Sequence, residues 1–482
     1  MQRREPDVAV WILWLGVGLW VIPALFLIAV QIRLPFQLNL NEGWNAYHAT
    51  FVRAGSVLYP EQIDWWVSNY PPVSFWLSAA LAPLAGGSNL AGRIANVGGV
   101  ALLSLAVGWM LSHRLGRSWG YLGGAFSFFY FAFVLSGYVA VNDPQMTGLG
   151  LVFLGFCFSC LAPHTGRNIF VGAALIAAGC GVKHNLVTVL LVAGLHLWLT
   201  DRRRAFTWSW QVAALGFLGL GFCHLLYGQA FWGNLISKRG YSFDSMKQLV
   251  RVLLQTAAVP LGLALVYCLR CPLPLRKDYL IPGMLIGGLA GTAFAGGSVA
   301  LNVYYELIIF SLIASLIVLA QLFPDKVSLA QMVLLPLPLL ITSFPELVNY
   351  PSQLKRLPET SQQAQEQLRY LKDLPGPAIC DNLLLCHEAG QPLEIDLYWT
   401  LESMRAGRLA ADALNPILAS GKYATIELDL PPGTDPAKPF SYFRFPDAAV
   451  PVLLEHYEVA RIWPYRVFYR RKQSPAVAAN AN

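Results

Sequence analysis

From Val8 to Val30 the chain runs 23 residues without a charged side chain. At 1.5 Å rise per residue, such a run is long enough to cross the hydrocarbon core of a bilayer. A signal peptide has an apolar core of about 7–15 residues and a small-residue cleavage site, and neither fits here. The segment reads as a retained first transmembrane helix, with Arg3 and Arg4 on the cytoplasmic side. Further apolar runs follow near 94–111, 120–139, 146–161, 169–182, 186–199, 208–227, 249–269, 279–297, 305–322 and 327–345. The expected fold class is therefore a mainly α, polytopic membrane helix bundle of about eleven spans.

Composition agrees. The 482 residues are 56% hydrophobic and 13% charged, against about 25% charged in soluble globular proteins. The charge is also uneven: residues 350–482 hold 14 Lys/Arg and 15 Asp/Glu, while the first 349 hold 20 and 12. This divides the chain into a membrane body, 1–349, with a first outer loop over 31–93, and a C-terminal soluble α/β domain, 350–482. In the latter, "SQQAQEQLRYLKDLPG" reads as a polar helix stopped by Pro-Gly and "LESMRAGRLAADALNPILASG" as helical with a Gly stop. "YATIELDL" and "RVFYRRK" carry the β-branched and aromatic residues of strands. The net charge of +7 is scattered in short clusters between apolar runs, which suits the positive-inside rule and not a nucleic-acid stripe, so no nucleic acid is expected as a partner. Four cysteines lie in apolar runs as small buried residues. Only Cys380 and Cys386, in "CDNLLLC", matter as a candidate disulfide, and only in an oxidising compartment.

The short apolar segment 71–86, with Pro at both ends, decides the topology. If it spans, "HRLGR" (113–117), "DRRR" (201–204) and "RKD" (276–278) all face outside, against the positive-inside rule; if it lies flat at the interface, all three face the cytoplasm. The flat reading puts the N-terminus inside and the C-terminal domain outside a cytoplasmic (plasma) membrane. It also gathers Glu42, Asp143, Lys183, the Lys238–Arg239 pair and Glu306 on the outer face.

Ionisable groups beside spans are costly and point to function. Glu42 lies in "LNLNEGWNAYHA", among Asn41, Trp44, Tyr47 and His48. Partial desolvation there would raise its basicity, as a general base needs; the plainer reading is an acid at the start of a helix. Asp143, in "VAVNDPQMTG", suits an N-cap before Pro144 equally well as a site acid. Lys183 and His184, in "AAGCGVKHNLVTVLL", suit a phosphate or an anionic headgroup, or snorkelling at the interface. Lys238 and Arg239 suit phosphate contact or an ordinary surface loop. Asn302, Tyr305 and Glu306 stand where "NVYYE" re-enters a span, with the tyrosine also at home in an aromatic belt. Tyr70 opens "YPP" before an amphipathic helix that would serve as a platform for a lipid-linked substrate. No cluster of acids, histidines or cysteines has metal-ligand spacing, so spacing indicates no divalent metal.

The acid after the first span, "YPP" before a short interfacial helix, the acid-Pro step after the third span, and "NVYYE" together resemble the polytopic GT-C class of glycosyltransferases. That class includes protein O-mannosyltransferases and the aminoarabinose transferases acting on lipid A. The resemblance implies a transferase that takes a sugar from a polyprenyl-phosphate donor outside the cytoplasmic membrane, with inversion, and passes it to a lipid, glycan or protein acceptor. It implies Glu42 as base; Asn41 stands where the class more often has an Asp. It implies Asp143 as the second acid, which orients the acceptor or in some members helps hold a metal, and Lys183 as the cation at the donor phosphate. A lipid or lipid-linked glycan transporter is the rival reading; it predicts midplane charges and an inverted repeat, and neither is visible in the sequence.

Overall fold

The computed structural model describes residues 8–237, 239–271, 274, 278–297, 299–322 and 333–472. The chain forms two compact units: one of residues 1–33, 70–226 and 241–353, the other of 34–69, 227–240 and 354–482.

The first unit is a helix bundle of α1 (Val8–Ile32), α3 (Val73–Ala85), α4 (Ser88–Leu115), α5 (Arg117–Val134), α6 (Gln145–Phe156), α7 (Gly166–Val182), α8 (Val187–Thr200), the first part of α9 (Arg202–Leu235), α10 (Phe243–Arg270), α11 (Leu280–Ala295) and α12 (Tyr305–Leu322). Among the described residues, five helical stretches, Val10–Ile32, Ser88–Leu115, Arg202–Leu235, Phe243–Arg270 and Leu301–Leu322, are long and apolar enough to cross a membrane, and five more apolar helices are shorter. The 71–86 segment is the 13-residue α3. The first part of the expected last run, 327–332, lies outside the described residues; the rest, 333–345, includes a 3-10 helix, Leu337–Ser343, and the start of the helix Phe344–Asp373.

Burial separates the helices into two kinds. In α12 every residue from Tyr305 to Leu319 except Leu307 is buried, against α4, α10 and α11. In α1 and α9, by contrast, Trp11, Trp14, Leu15, Ile22, Trp210, Phe217 and Leu225 are exposed. Apolar faces this extensive are what lipid covers. Lipid offers no hydrophobic drive between helices, so close packing has to hold them, and small residues permit it. A Cβ on Gly99 of α4 would sit 2.3 Å from the Thr147 backbone nitrogen, and one on Gly150 of α6 would sit 2.4 Å from the Gly99 carbonyl. The α4–α6 contact is therefore backbone on backbone.

α10 breaks its regular path at Ala257 (φ −124°), three residues before Pro260. Proline lacks the N–H that would bond the carbonyl four residues back, here that of Thr256. Thr342 supplies the donor instead, its Oγ1 lying 2.9 Å from the Thr256 oxygen.

The second unit holds α2 (Asn41–Ala54) and the C-terminal α/β fold. Its sheet has the order β1 (Ala378–Cys380), β2 (Thr425–Leu428), β4 (Arg466–Arg471), β3 (Tyr457–Trp463), with β1–β2 parallel and the other pairs antiparallel. β2 and β4 fall where the sequence reading puts strands. The expected helix over 401–421 is two, Leu397–Arg405 and Asn415–Ser420, separated around Gly407 (φ 73°) and stopped at Gly421 (φ 80°). Cys380, ending β1, is disulfide-bonded to Cys386 in the short helix Leu383–Glu388. That helix meets α2 so closely that a Cβ on Gly43 would lie 2.1 Å from the Leu384 nitrogen.

Replacing Thr342 by Val removes the hydroxyl that donates to the Thr256 carbonyl and is expected to destabilise the folded protein in detergent by roughly 0.6 kcal/mol, up to about 1.7. Thermal melting checks this, and Thr342→Ser, which keeps the hydroxyl, is expected to melt as the parent does.

Candidate active-site residues in the two units

In the first unit the turn between α5 and α6 delivers Asp143. Ala140 takes a left-handed φ of 53°, unusual for a residue with a side chain, and Asp143 follows in a tight turn, its N–H donating to the Val141 carbonyl. One Asp143 oxygen, Oδ1, accepts the Gln145 N–H at 2.9 Å and the Lys183 ammonium at 3.1 Å. The capping and site readings of Asp143 thus coexist on one atom. The N-terminus of α6 is further satisfied by Asn96 of α4, whose Oδ1 accepts from the Met146 and Thr147 N–H groups and whose amide donates to the Tyr138 carbonyl. Asn96 escaped the sequence reading, where its signal was a lone amide inside an apolar run.

Lys183 follows the last turn of α7, with its side chain 2% exposed. Its Nζ lies 4.8 Å from the centre of the Tyr70 ring and 6.0 Å from that of Tyr138. Burial works against the ammonium, but Asp143 and then Tyr70 outweigh it, so the Lys183 pKa is raised above its ordinary value. His184 is exposed and faces Tyr70 at 6.5 Å between ring centres.

Asn302 and Tyr305 join the same unit from α12 and the turn before it. Asn302 donates to Gln145 Oε1 at 2.9 Å, and the Tyr305 ring packs edge-on to Tyr138 at 5.5 Å. Gln145 is a second residue that sequence reasoning passed over. Glu306 is buried, and its Oε1 accepts the Val189 N–H in the first turn of α8, at 3.1 Å. A carboxylate there also complements the positive end of that helix. The fold thus assembles Tyr70, Asp143, Lys183, Asn302 and Tyr305 around the start of α6.

Glu42, Asn41, Trp44 and His48 belong to the second unit, on α2. Asn41 opens the helix, receiving a bond from Asn45 on its carbonyl. Glu42 is fully buried, and its Oε2 accepts the Leu38 N–H at 2.6 Å. Trp44 donates its indole N–H to the Val67 carbonyl at 3.0 Å. The His48 ring lies 4.1 Å from that of Trp44 and 5.8 Å from that of Trp66. Thr50 Oγ1 is 2.9 Å from His387 Nε2, and Tyr47 donates to the Gln391 carbonyl at 2.8 Å, so α2 is bound to the C-terminal fold by side chains as well as by packing. Arg239 is half-buried in this unit, and Lys238 lies outside the described residues. Among the described residues, no three of His, Cys, Asp and Glu are grouped to hold a metal ion.

Burial lowers the His48 pKa from its ordinary 6.5 to about 4, although its bonds to the Trp44 and Val67 carbonyls act the other way. A depressed histidine binds its proton more readily in the unfolded chain, so its contribution to stability is present above pH 6.5 and is lost as pH falls toward 4. His48→Gln is expected to flatten the acid limb of a melting-temperature profile between pH 6.5 and 4. The slope removed is at most about 1.4 kcal/mol per pH unit. Identical acid limbs would show that His48 does not titrate in this way.

No family model and no curated protein matches this sequence. Among solved structures, it is similar to the crystal structure of ArnT from Cupriavidus metallidurans bound to undecaprenyl phosphate. The TM-score is 0.58 at 13% identity, over 95% of this chain and 98% of that one. The same protein in the apo state gives 0.58 at 15%, over 94% and 97%. Identity at this level carries no residue roles across. What the likeness shows is the fold: over nearly its whole length this membrane helix bundle with its small C-terminal sheet has the fold of ArnT.

Proposed function

We propose that the protein is a membrane glycosyltransferase that moves a sugar from a polyprenyl-phosphate donor to an acceptor hydroxyl on the extracytoplasmic face, with inversion. The observation that carries the reading is the buried Lys183, held by Asp143 beneath Tyr70 in a chain with this fold. A fully desolvated ammonium is a strong, pre-oriented partner for a phosphate. In this reading the acceptor oxygen attacks the anomeric carbon on the face opposite the phosphate. The bond from that carbon to the phosphate oxygen breaks, and the electron pair leaves with the polyprenyl phosphate. Lys183 stabilises the charge that develops there, and Asp143 positions Lys183. Glu42 takes the acceptor's proton. One displacement at the anomeric carbon inverts it.

Other features support the same reading. Glu42 is buried on the helix that also carries Trp44 and His48, and Trp66 packs on His48; these are amphipathic rings of the kind that contact sugar faces. His48, with its lowered pKa, stays neutral near pH 7. Asn302, Tyr305 and His184 would line the donor side, Arg239 would add a second cation, and the exposed apolar helix faces would meet membrane lipids. The Cys380–Cys386 disulfide favours an oxidising, extracytoplasmic compartment for the C-terminal unit.

Transfer of labelled sugar from polyprenyl-phosphate donors, in membranes with matched protein levels, tests the assignment. Glu42→Gln is expected to lower transfer by about 10²–10⁴-fold with donor binding kept, the range of a lost general base. Lys183→Met is expected to weaken both binding and transfer. Transfer by Glu42→Gln at the parent rate would remove Glu42 as the base. Lipid scrambling by the parent without any transfer would favour a transporter instead.

A further inference from the structure

The second unit holds an open depression of about 350 Å³ in which Trp65, Glu394, Ile395, Ser420, Lys422 and Tyr423 meet. This lies within the roughly 300–1,000 Å³ range of small-molecule sites. No residue of the mechanism above lines it.

Its polar groups are arranged in a particular way. Glu394 Oε2 receives both the Tyr423 hydroxyl, at 2.5 Å, and the Lys422 ammonium, at 2.6 Å. Among the described hydrogen bonds none reaches Glu394 Oε1, and an ammonium has three N–H donors, of which this pair uses one. A charged acceptor and two charged donors are therefore presented side by side at the rim. Bonds from ionised groups are about twice as strong as neutral ones. The hydrogen bonds from Lys422 and Tyr423 outweigh burial and hold the Glu394 pKa below its ordinary value, so the acceptor is ionised near neutral pH.

Beside them stands an aromatic plate. The neighbouring rings are engaged elsewhere: Trp44 donates to Val67, and Trp66 packs on His48 and Phe51. Trp65 is half-buried, and neither a hydrogen bond from its indole nor a ring partner is present among the described contacts. Its backbone, however, is firmly held. The Trp65 carbonyl accepts the Asp396 N–H at 2.9 Å, Trp399 donates its indole N–H to the Ile63 carbonyl, and Asp396 caps the helix Leu397–Arg405. The side chain itself packs against the hydrophobic core of this unit, and an indole held in this way costs little ordering entropy when a ligand stacks on it.

We propose that this depression is a saccharide-binding subsite, in which a sugar ring stacks on Trp65 while adjacent hydroxyls donate to Glu394 Oε1 and accept from the Lys422 ammonium. An apolar peptide would leave this ion pair unused, and an anion would meet the Glu394 carboxylate. A polyhydroxylated ring with one C–H face engages both the aromatic plate and the ion pair. That the bound sugar belongs to the glycan acceptor of the transfer reaction rests on the function proposed above; the binding itself does not.

The test uses the full-length protein in detergent on an array of hexose, N-acetylhexosamine and deoxyhexose oligosaccharides, followed by calorimetry with the tightest binder. Parent protein is expected to bind at least one oligosaccharide. Trp65→Ala and Lys422→Met are expected to weaken that binding by at least tenfold, and Trp65→Phe by less. Lys422 is more than half exposed, so its substitution keeps the test valid if Trp65→Ala does not fold. No binding by the parent, or binding unchanged in both folded variants, overturns the subsite. Oligosaccharide binding without sugar transfer from any donor would leave the subsite standing and the transferase reading fallen. Transfer without oligosaccharide binding would do the reverse.

Discussion

The Asp143–Lys183 pair is the interaction on which the rest of the first unit depends. Two charges almost wholly removed from water carry a desolvation cost of several kcal/mol each, which their attraction offsets only when the geometry is good and the remaining valences are met. Here Asp143 also takes a backbone N–H, and Tyr70 lies over the ammonium. Meeting those conditions places demands on everything nearby. The α5–α6 turn adopts a strained Ala140, Asn96 stabilises the start of α6 from α4, and Gly99 and Gly150 let α4 and α6 close to backbone contact so that Asn96 can reach. Removing one partner alone would strand the other charge at a cost of about 3–5 kcal/mol.

A second constraint comes from lipid. Where water is absent, every freed backbone group has to find a partner within the protein. Pro260 bends α10 and frees the Thr256 carbonyl, and Thr342 takes it up; Glu306 does the corresponding work for the N–H groups at the start of α8. Polar side chains inside this bundle are therefore of two kinds that look alike in a sequence. Some hold the backbone together, as Asn96 and Thr342 do. Lys183 is not spent in that way, since its ammonium is turned to a carboxylate and two aromatic rings.

The second unit works on other terms. Its α2 segment, which carries Glu42, is anchored to the C-terminal fold at Gly43, Tyr47 and Thr50, and the irregular segment that follows at Ile63 and Trp65. The loop after the first span thus shares a core and a hydrogen-bond network with residues more than 300 positions later. This is how a short polar helix, with little apolar surface of its own, is held with Glu42 buried and with Trp65 presented at the surface.

Much was legible from sequence. Uncharged runs of bilayer length determined that the chain is a polytopic helix bundle, because burial in lipid selects residue types over long windows. The shift in charge density near residue 350 did not show that 34–69 and 227–240 join the C-terminal residues in one unit. The ordered motifs named residues that the fold does bring together: Tyr70, Asp143, Lys183, Asn302 and Tyr305. What sequence left out is pairwise. Asn96 and Gln145 are ordinary amides until α4, α6 and α12 meet; the strands Ala378–Cys380 and Tyr457–Trp463 are too short or too mixed to announce themselves. The Glu394–Lys422–Trp65 grouping draws on three distant segments. Hydropathy is a property of each residue and its window, so it survives in the sequence. Which partner satisfies a buried polar group depends on distances that only the packed chain creates.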